Sequence, residues 1–292
     1  MIYRNLGNTG LKVSILGFGA GEIGDLELEN AKVEVILNFA LDSGINLIDT
    51  ARGYYASEDR IGRFISHRRK EFILSTKVGY GIEGVEDWSY DCIITGVDEA
   101  LRSMRTDYID IVHLHSCPLE TLQRGEAINA LYKTIEAGKV KCAAYSGENE
   151  ELKYAVESNA FQSVQTSFNI CDQRSIENIF PNTIDKNIGV IAKRPIANAP
   201  WRFDDQPRGH YAEEYWLRWK KMNTDIGMDW NEAALRFTAF TEGIHTCIVG
   251  TTNIEHLKQN IEIISKEKLP EEIYQKIRSA FIKNDDGWES QV

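Results

Sequence analysis

Two rhythms of apolar residues alternate along the chain. Short runs of consecutive apolar residues are separated by longer stretches in which apolar residues recur every three or four positions. Short runs bounded by turn residues suit strands buried on both faces, and the longer period suits amphipathic helices. The first two runs, Ile2–Leu6 and Leu11–Ser14, flank Gly7-Asn8-Thr9-Gly10 and predict a β-hairpin. Eight strands are then expected near Ile15–Ala20, Asn46–Ala51, Phe72–Val78, Asp110–His115, Cys142–Gly147, Ser163–Asn169, Gly189–Pro195 and Thr246–Thr251. Helices are expected between and after them, at Glu29–Ser43, Ser57–His67, Tyr90–Met104, Leu119–Ala137, Glu150–Ser158, Ser175–Lys186, Trp230–Thr241, Ile254–Ile264 and Pro270–Ile282. Regular strand–helix alternation without a Pro/Gly/Ser-rich linker predicts an α/β chain. The expected fold is a single (β/α)8 TIM barrel with an N-terminal hairpin, one domain over residues 1–292. The longest gap between strands, Pro195 to Thr246, carries Trp201, His210, Tyr211, Tyr215, Trp216 and Trp219 and reads as an ordered insertion over the barrel mouth. The stretch Lys283–Glu289 either folds over that mouth or frays.

Strands buried on both faces should be nearly all apolar. Several here turn polar late: Asp49 ends one, Ser75-Thr76-Lys77 another, and His113-Leu114-His115 a third. The next-but-one strand alternates Ser163, Gln165, Ser167 and Asn169 against Val164, Thr166 and Phe168. In a barrel the C-terminal strand ends converge on one mouth, so Asp49, Lys77 and His115 are expected to meet there. Tyr54 and Tyr55 lie in the loop after the first of these strands. A phenol with a pKa of about 10 is a weak acid at neutral pH, and a nearby ammonium favours its ionised form. A buried lysine in turn needs a carboxylate. Asp, Lys and Tyr together make a tuned general acid, and a histidine can donate to the same substrate oxygen. The chemistry implied is protonation of an oxygen as a carbonyl becomes an alcohol. No metal-ligand cluster is expected, so the hydride comes from a cofactor.

Composition narrows the partners. The 292 residues are 42% hydrophobic and 26% charged, with 33 basic and 44 acidic side chains, a net charge of −11 and a pI of about 5.1. Such a balance argues against nucleic acid or an anionic membrane as the main partner. Cys92, Cys117, Cys142, Cys171 and Cys247 are scattered and odd in number, which suits a reducing compartment. No apolar stretch approaches the roughly 20 residues of a membrane span, and the N-terminus lacks a signal-peptide core. The expectation is a cytoplasmic protein, a monomer or small homo-oligomer, acting on a small carbonyl or alcohol.

Taken together, these segments resemble the aldo-keto reductase family nearly end to end. Leu16-Gly17-Phe18-Gly19 is similar to its first strand, and Asp49-Thr50-Ala51-Arg52-Gly53-Tyr54-Tyr55-Ala56-Ser57-Glu58 to its tyrosine segment, with Tyr55 at a usual glycine. Ser75-Thr76-Lys77 resembles the lysine strand, and Asp107-Tyr108-Ile109-Asp110 leading to His115 the histidine strand. Gly138-Lys139-Val140 through Ser146, then Gln165 and Asn169, then Gly250 through Asn260, complete the likeness. The resemblance implies Tyr54 as proton donor, Lys77 and Asp49 as its tuning pair, and His115 as the group that orients the carbonyl. It implies a nicotinamide cofactor, NADP(H) favoured and NAD(H) possible. Ser146 and Gln165 would hold the carboxamide, and Gly19 would let backbone approach the ring. Lys193, Arg194, Pro195 and Ile196, with Gly250, Thr251, Thr252, Asn253, Gln259 and Asn260, would line the pyrophosphate and adenosine half. Tyr55, Trp88 and Trp201, in loops after strands, are the expected substrate-pocket walls.

Four positions depart from the family pattern in three ways. Gly147 stands where an asparagine is usual, Lys193 where an aromatic often stacks on the nicotinamide, and Gly250 and His256 where cations commonly grip the 2′-phosphate. Three other readings compete. Gly19-Ala20-Gly21-Glu22-Ile23-Gly24 fits a dinucleotide fingerprint, but the helical pattern begins only near Glu29. His113 and His115 share a strand face as in metal-dependent barrel hydrolases, but the last strand offers only Thr246-Cys247-Ile248. A cofactor-sensing regulatory subunit of the same fold would bind the nicotinamide with little turnover, which a complete Asp–Tyr–Lys–His set argues against.

Overall fold

The computed structural model describes residues 1–291. A two-stranded antiparallel hairpin, β1 (Tyr3–Asn5) and β2 (Lys12–Ser14), pairs Tyr3 with Ser14. Eight parallel strands follow: β3 (Leu16–Gly19), β4 (Leu47–Asp49), β5 (Ile73–Val78), β6 (Ile109–His115), β7 (Val140–Ser146), β8 (Ser163–Ser167), β9 (Gly189–Lys193) and β10 (Thr246–Val249). They run in chain order and close where β10 pairs with β3, so this is a (β/α)8 TIM barrel. Parallel neighbours need a crossover, and each crossover here carries helix packed on the barrel's outer face.

The strands separate two apolar layers. Outward residues such as Leu16, Phe18, Ile48, Leu74, Val112 and Val164 pack against the helices in one continuous core. Inward residues Leu47, Ile73, Ile111, Cys142, Ala144, Ile191 and Ile248 fill the lower barrel, and Leu6 and Val13 of the hairpin plug it from below. Full burial of a leucine such as Leu6 contributes roughly 2 kcal/mol. The plug sits close: Gly7 has φ +51°, and a Cβ there would fall 2.3 Å from the Gly189 nitrogen. Above this plug the inward positions turn polar toward the C-terminal ends of the strands.

Helix boundaries depart from the periodicity in two places. The stretch Leu119–Ala137 is two helices, Leu119–Arg124 and Glu126–Glu136, divided at Gly125 with φ +77°. Ser175–Lys186 divides at Ile179 into Ser175–Asn178 and Phe180–Asp185. Apolar spacing continues through both breaks, so periodicity alone does not reveal them. The glycine-rich segment after β3 forms only a short 3-10 turn, Glu22–Gly24, before the helix Asn30–Asp42, so the dinucleotide fingerprint has no helix to open.

The long insertion is ordered and leans on the ends of β8 and β9. Its helix Glu213–Met222 carries Tyr215, whose hydroxyl donates to Asp172 at 3.2 Å. Helix Trp230–Phe240 donates from Thr238 Oγ1 to the Pro195 carbonyl at 2.9 Å. The C-terminal stretch is also held. Ser290 donates through Oγ to Asp172 at 2.8 Å and through its backbone N–H to Asn149 at 3.0 Å, and the Gln291 carbonyl accepts from Ser167 at 2.9 Å. It folds onto the mouth beside β7, β8 and β9.

Candidate active site

Asp49 is the last residue of β4 and Lys77 the fifth of β5, both pointing into the barrel above the apolar plug. Each is about 1% exposed. Lys77 Nζ donates to Asp49 Oδ2 at 2.7 Å and to the Thr50 carbonyl at 2.8 Å. Burial alone would push the Asp49 carboxyl up, but the Lys77 ammonium and the His113 ring hold it below its usual value. Burial likewise works against the Lys77 ammonium, and Asp49 and then Tyr54 outweigh it, so Lys77 stays charged. Ser75 Oγ donates to Asp49 Oδ1 at 2.7 Å, which leaves it to accept from His113 Nε2 at 3.0 Å.

Tyr54 enters from the loop after β4. The Tyr54 N–H bonds the Ala51 carbonyl at 3.0 Å and its own carbonyl accepts from Ser57 at 2.9 Å. Ser57 Oγ donates to the Ala20 carbonyl at 2.6 Å, pinning the start of helix Ser57–Ile65 to the end of β3. Gly24 is required here, because a Cβ would fall 2.0 Å from the Tyr54 carbonyl oxygen. The Lys77 ammonium lies 5.0 Å from the Tyr54 ring centre. His115, ending β6, meets Tyr54 edge-on with ring centres 6.1 Å apart. All four predicted residues therefore gather at one mouth. Tyr55 does not join them: it has φ +45° and is 81% exposed.

One neighbour was not singled out by the sequence. Tyr80, just beyond β5, places its hydroxyl 2.8 Å from His115 Nδ1, with the two rings stacked 5.5 Å apart. Its signal in the sequence is slight: a polar aromatic between two glycines, three residues after Lys77. Trp88 packs edge-on to Tyr80 with centres 5.8 Å apart, so it reaches the site through that ring. Trp201 stacks on Trp230, meets Trp219 edge-on and donates its indole N–H to Asn231 at 3.1 Å, all within the insertion. The structure thus places Tyr55 on the surface, Trp88 behind Tyr80 and Trp201 in the insertion's own aromatic cluster.

Next to the four lies an amide-sized pair. Ser146 and Gln165 face each other across β7 and β8, and Ser146 Oγ donates to Gln165 Oε1 at 3.1 Å. Gln165 Nε2 donates in turn to Asp49 Oδ1 at 2.9 Å, joining this pair to the lysine network. Gly147 has a local reason: a Cβ there would fall 2.3 Å from the Tyr145 hydroxyl. Lys193 is not loose. Its ammonium pairs with Glu148 Oε1 at 2.9 Å, and Glu148 also accepts from Thr166 Oγ1 and the Ser167 N–H. Arg194 (φ +55°) donates to the Gln291 carbonyl, to Ser167 Oγ at 3.3 Å and to the Tyr211 hydroxyl. Pro195 is buried and Ile196 packs against the core.

At the junction of β10 and β3 two glycines bring bare backbone together: a Cβ on Gly19 would lie 3.3 Å from the Gly250 nitrogen, and one on Gly250 3.0 Å from the Gly19 carbonyl oxygen. Thr251 is buried, while Thr252 and Asn253 are exposed at the start of helix Ile254–Ser265, where Asn253 Oδ1 caps the Glu255 N–H at 2.9 Å. Gln259 and His256 are exposed on that helix and Asn260 is buried. A bare glycine cradle, a helix N-terminus and a serine–glutamine pair beside the lysine network fit a dinucleotide laid across the mouth.

A family model described as the aldo/keto reductase family matches residues 15–282. L-galactose dehydrogenase of Arabidopsis thaliana is 26% identical over 281 residues, covering 90% of this chain and 88% of that protein. A probable voltage-gated potassium channel subunit beta of the same plant is 33% identical over 161 residues, 51% of this chain and 47% of the relative. Among solved structures, aldo-keto reductase AKR11C1 from Bacillus halodurans, in its holo form, superposes with a TM-score of 0.81 at 28% identity, over 96% of each chain.

Proposed function

The chain belongs to the aldo/keto reductase family, and on that premise we propose that it interconverts an aldehyde or ketone and an alcohol with Tyr54, Lys77, Asp49 and His115 as its catalytic set. Family membership makes it an oxidoreductase of the carbonyl–alcohol type; the residue roles and the cofactor preference are our reading. The observation that carries it is the buried Asp49–Lys77 pair, with its ammonium against the Tyr54 phenol and His115 edge-on to that ring.

In the reducing direction Tyr54 gives its proton to the carbonyl oxygen. Lys77 stabilises the phenolate left behind, and Asp49 keeps Lys77 charged inside the barrel. His115 hydrogen-bonds the carbonyl oxygen and orients it toward the phenol. A bound nicotinamide supplies the hydride; Ser146 and Gln165 would hold its carboxamide, and Gly19, Arg194 and Gly250 to Asn253 would line the rest. The family's habit favours NADPH. With Gly250 and His256 where cations are usual, discrimination against NADH should be modest.

Turnover tests the reading. The purified protein should oxidise NADPH in the presence of some members of a panel of aliphatic aldehydes, aromatic aldehydes, ketones and aldoses. The half-length likeness to a channel subunit beta keeps one second reading, a cofactor-binding regulatory subunit. Tight NADPH binding with no turnover on the whole panel would favour it.

A further inference from the structure

We propose that the Tyr80 hydroxyl sets the tautomer of His115, donating to Nδ1 so that the ring's single hydrogen sits on Nε2 and is offered to the substrate carbonyl. This makes Tyr80 a positioning residue, and it rests on the reading that His115 faces the carbonyl. The Tyr80 Oη to His115 Nδ1 distance is 2.8 Å and the rings are nearly parallel, at 25°. Among the described residues Nδ1 is the hydroxyl's only hydrogen-bond partner.

The direction of that bond follows from counting hydrogens. Burial, with Lys77 and Lys193 nearby, pushes His115 down to about 3, so at neutral pH the ring carries one hydrogen. Burial and then Tyr54 hold the Tyr80 phenol above its usual value, so it keeps its proton. If Nδ1 carried the ring hydrogen, the phenol proton would lack a protein acceptor. Nε2 would then turn a lone pair toward the lone pairs of a carbonyl oxygen. With the phenol donating, both mismatches vanish, and Nε2–H is the donor that an orienting histidine needs.

The loop is built to hold Tyr80 still. Gly79 and Gly81 flank it with φ +141° and +75°, and the Trp88 indole lies where a Gly79 Cβ would be, 2.0 Å away. Arg52 donates to the Gly81 carbonyl through Nε at 3.0 Å and Nη2 at 2.8 Å, while its Nη1 is held by Glu99. Asp87 Oδ1 accepts from the Gly81 N–H at 2.9 Å. Arg52 lies two residues before Tyr54, so one guanidinium ties the proton donor's loop to the loop that fixes the histidine. A partner held this firmly orients a functional ring as outer-shell carboxylates orient metal-binding histidines.

The test is nitrogen NMR on histidine-15N-labelled protein saturated with NADP+, with His115→Gln used to assign the His115 signals. The expected wild-type spectrum shows a protonated Nε2 and a lone-pair Nδ1. Tyr80→Phe keeps the ring stacking and removes only the hydroxyl. It should shift His115 toward mixed tautomers and lower kcat about fivefold to tenfold, with the NADPH Kd unchanged. A protonated Nδ1 in the wild-type protein overturns the proposal, and needs no variant to fold. So does a Tyr80→Phe protein that keeps both the Nε2–H signal and full kcat. The two readings separate cleanly. Full turnover in Tyr54→Phe removes the catalytic assignment and leaves the spectrum to decide the tautomer. An inactive Tyr54→Phe with a protonated Nδ1 in wild type removes only the role of Tyr80.

Discussion

Asp49 and Asp110 are both buried aspartates on barrel strands, and both are paired with cations, yet they sit at opposite ends. Asp110, second in β6, is at the base: it accepts from Arg69 at 2.6 Å, Lys141 at 2.8 Å and the Leu74 N–H at 2.9 Å. Arg69 and Lys141 also lie over the Tyr108 ring, each 4.0 Å from its centre. The cluster is closed on itself, and half of the Lys141 side chain is in water. Asp49 ends β4 at the mouth, and its lysine is almost wholly enclosed. That pair continues outward, through Lys77 to the Tyr54 phenol and through Gln165 to Ser146. A buried ion pair is therefore not a functional sign in itself. What distinguishes the mouth is a chain of polar contacts that leads from the pair to groups able to meet a substrate.

Five experiments would break or sharpen that contrast. The largest effect is expected from Tyr54→Phe, which should lower kcat by about 10²- to 10⁴-fold with the melting temperature unchanged. Tyr55→Phe, at an exposed position, should stay near wild type. The opposite pattern in steady-state kinetics would move the proton donor to Tyr55. Asp49→Asn and Asp110→Asn come next. Asp49→Asn leaves Lys77 without its carboxylate and Asp110→Asn leaves Arg69 and Lys141 without theirs, and each should destabilise by about 3–5 kcal/mol in urea unfolding. Only Asp49→Asn should also lose turnover per folded molecule; an equal kcat loss in Asp110→Asn would erase the distinction between the two ends.

Leu6→Ala, in the plug, should cost about 2–5 kcal/mol of stability and leave kcat and KM alone. A changed KM would mean that the base communicates with the mouth. The smallest effects are in pH. Asp49 is held below its usual carboxylate value, so its contribution to stability is full above that usual value and fades as pH falls through the lowered one. Melting curves from pH 6 to 2 should show this loss in wild type and lack it in Asp49→Asn. His115, pushed down to about 3, should add no limb to the pH–rate profile near 6 or 7. A limb there that disappears in His115→Gln would contradict a half-buried ring that stays neutral.

Much of the barrel was legible in the sequence because strand and helix periodicities are local. All eight barrel strands lie where the apolar runs place them, to within a residue or two at their ends. The break at Gly125 was not legible, since the apolar spacing on either side continues without interruption and a glycine inside a helix is tolerated. At the mouth, Asp49, Lys77 and His115 stood out because charge late in a doubly buried strand is anomalous. Tyr80 did not, because a tyrosine in a loop is ordinary until another strand brings a histidine to 2.8 Å from it.

The sequence by itself determined where the eight strands fall, that several of them turn polar at their C-terminal ends, and which residue types stand there. These depend on patterns a few residues long. Tertiary structure alone decided that the Tyr80 hydroxyl meets His115, that Lys193 is held by Glu148, and that Gly147 must lack a side chain above the Tyr145 hydroxyl. Hydrogen bonds and close contacts are lost within about an ångström of displacement. Positions of that accuracy, between residues far apart in the chain, are set only when the barrel closes and every strand takes its register.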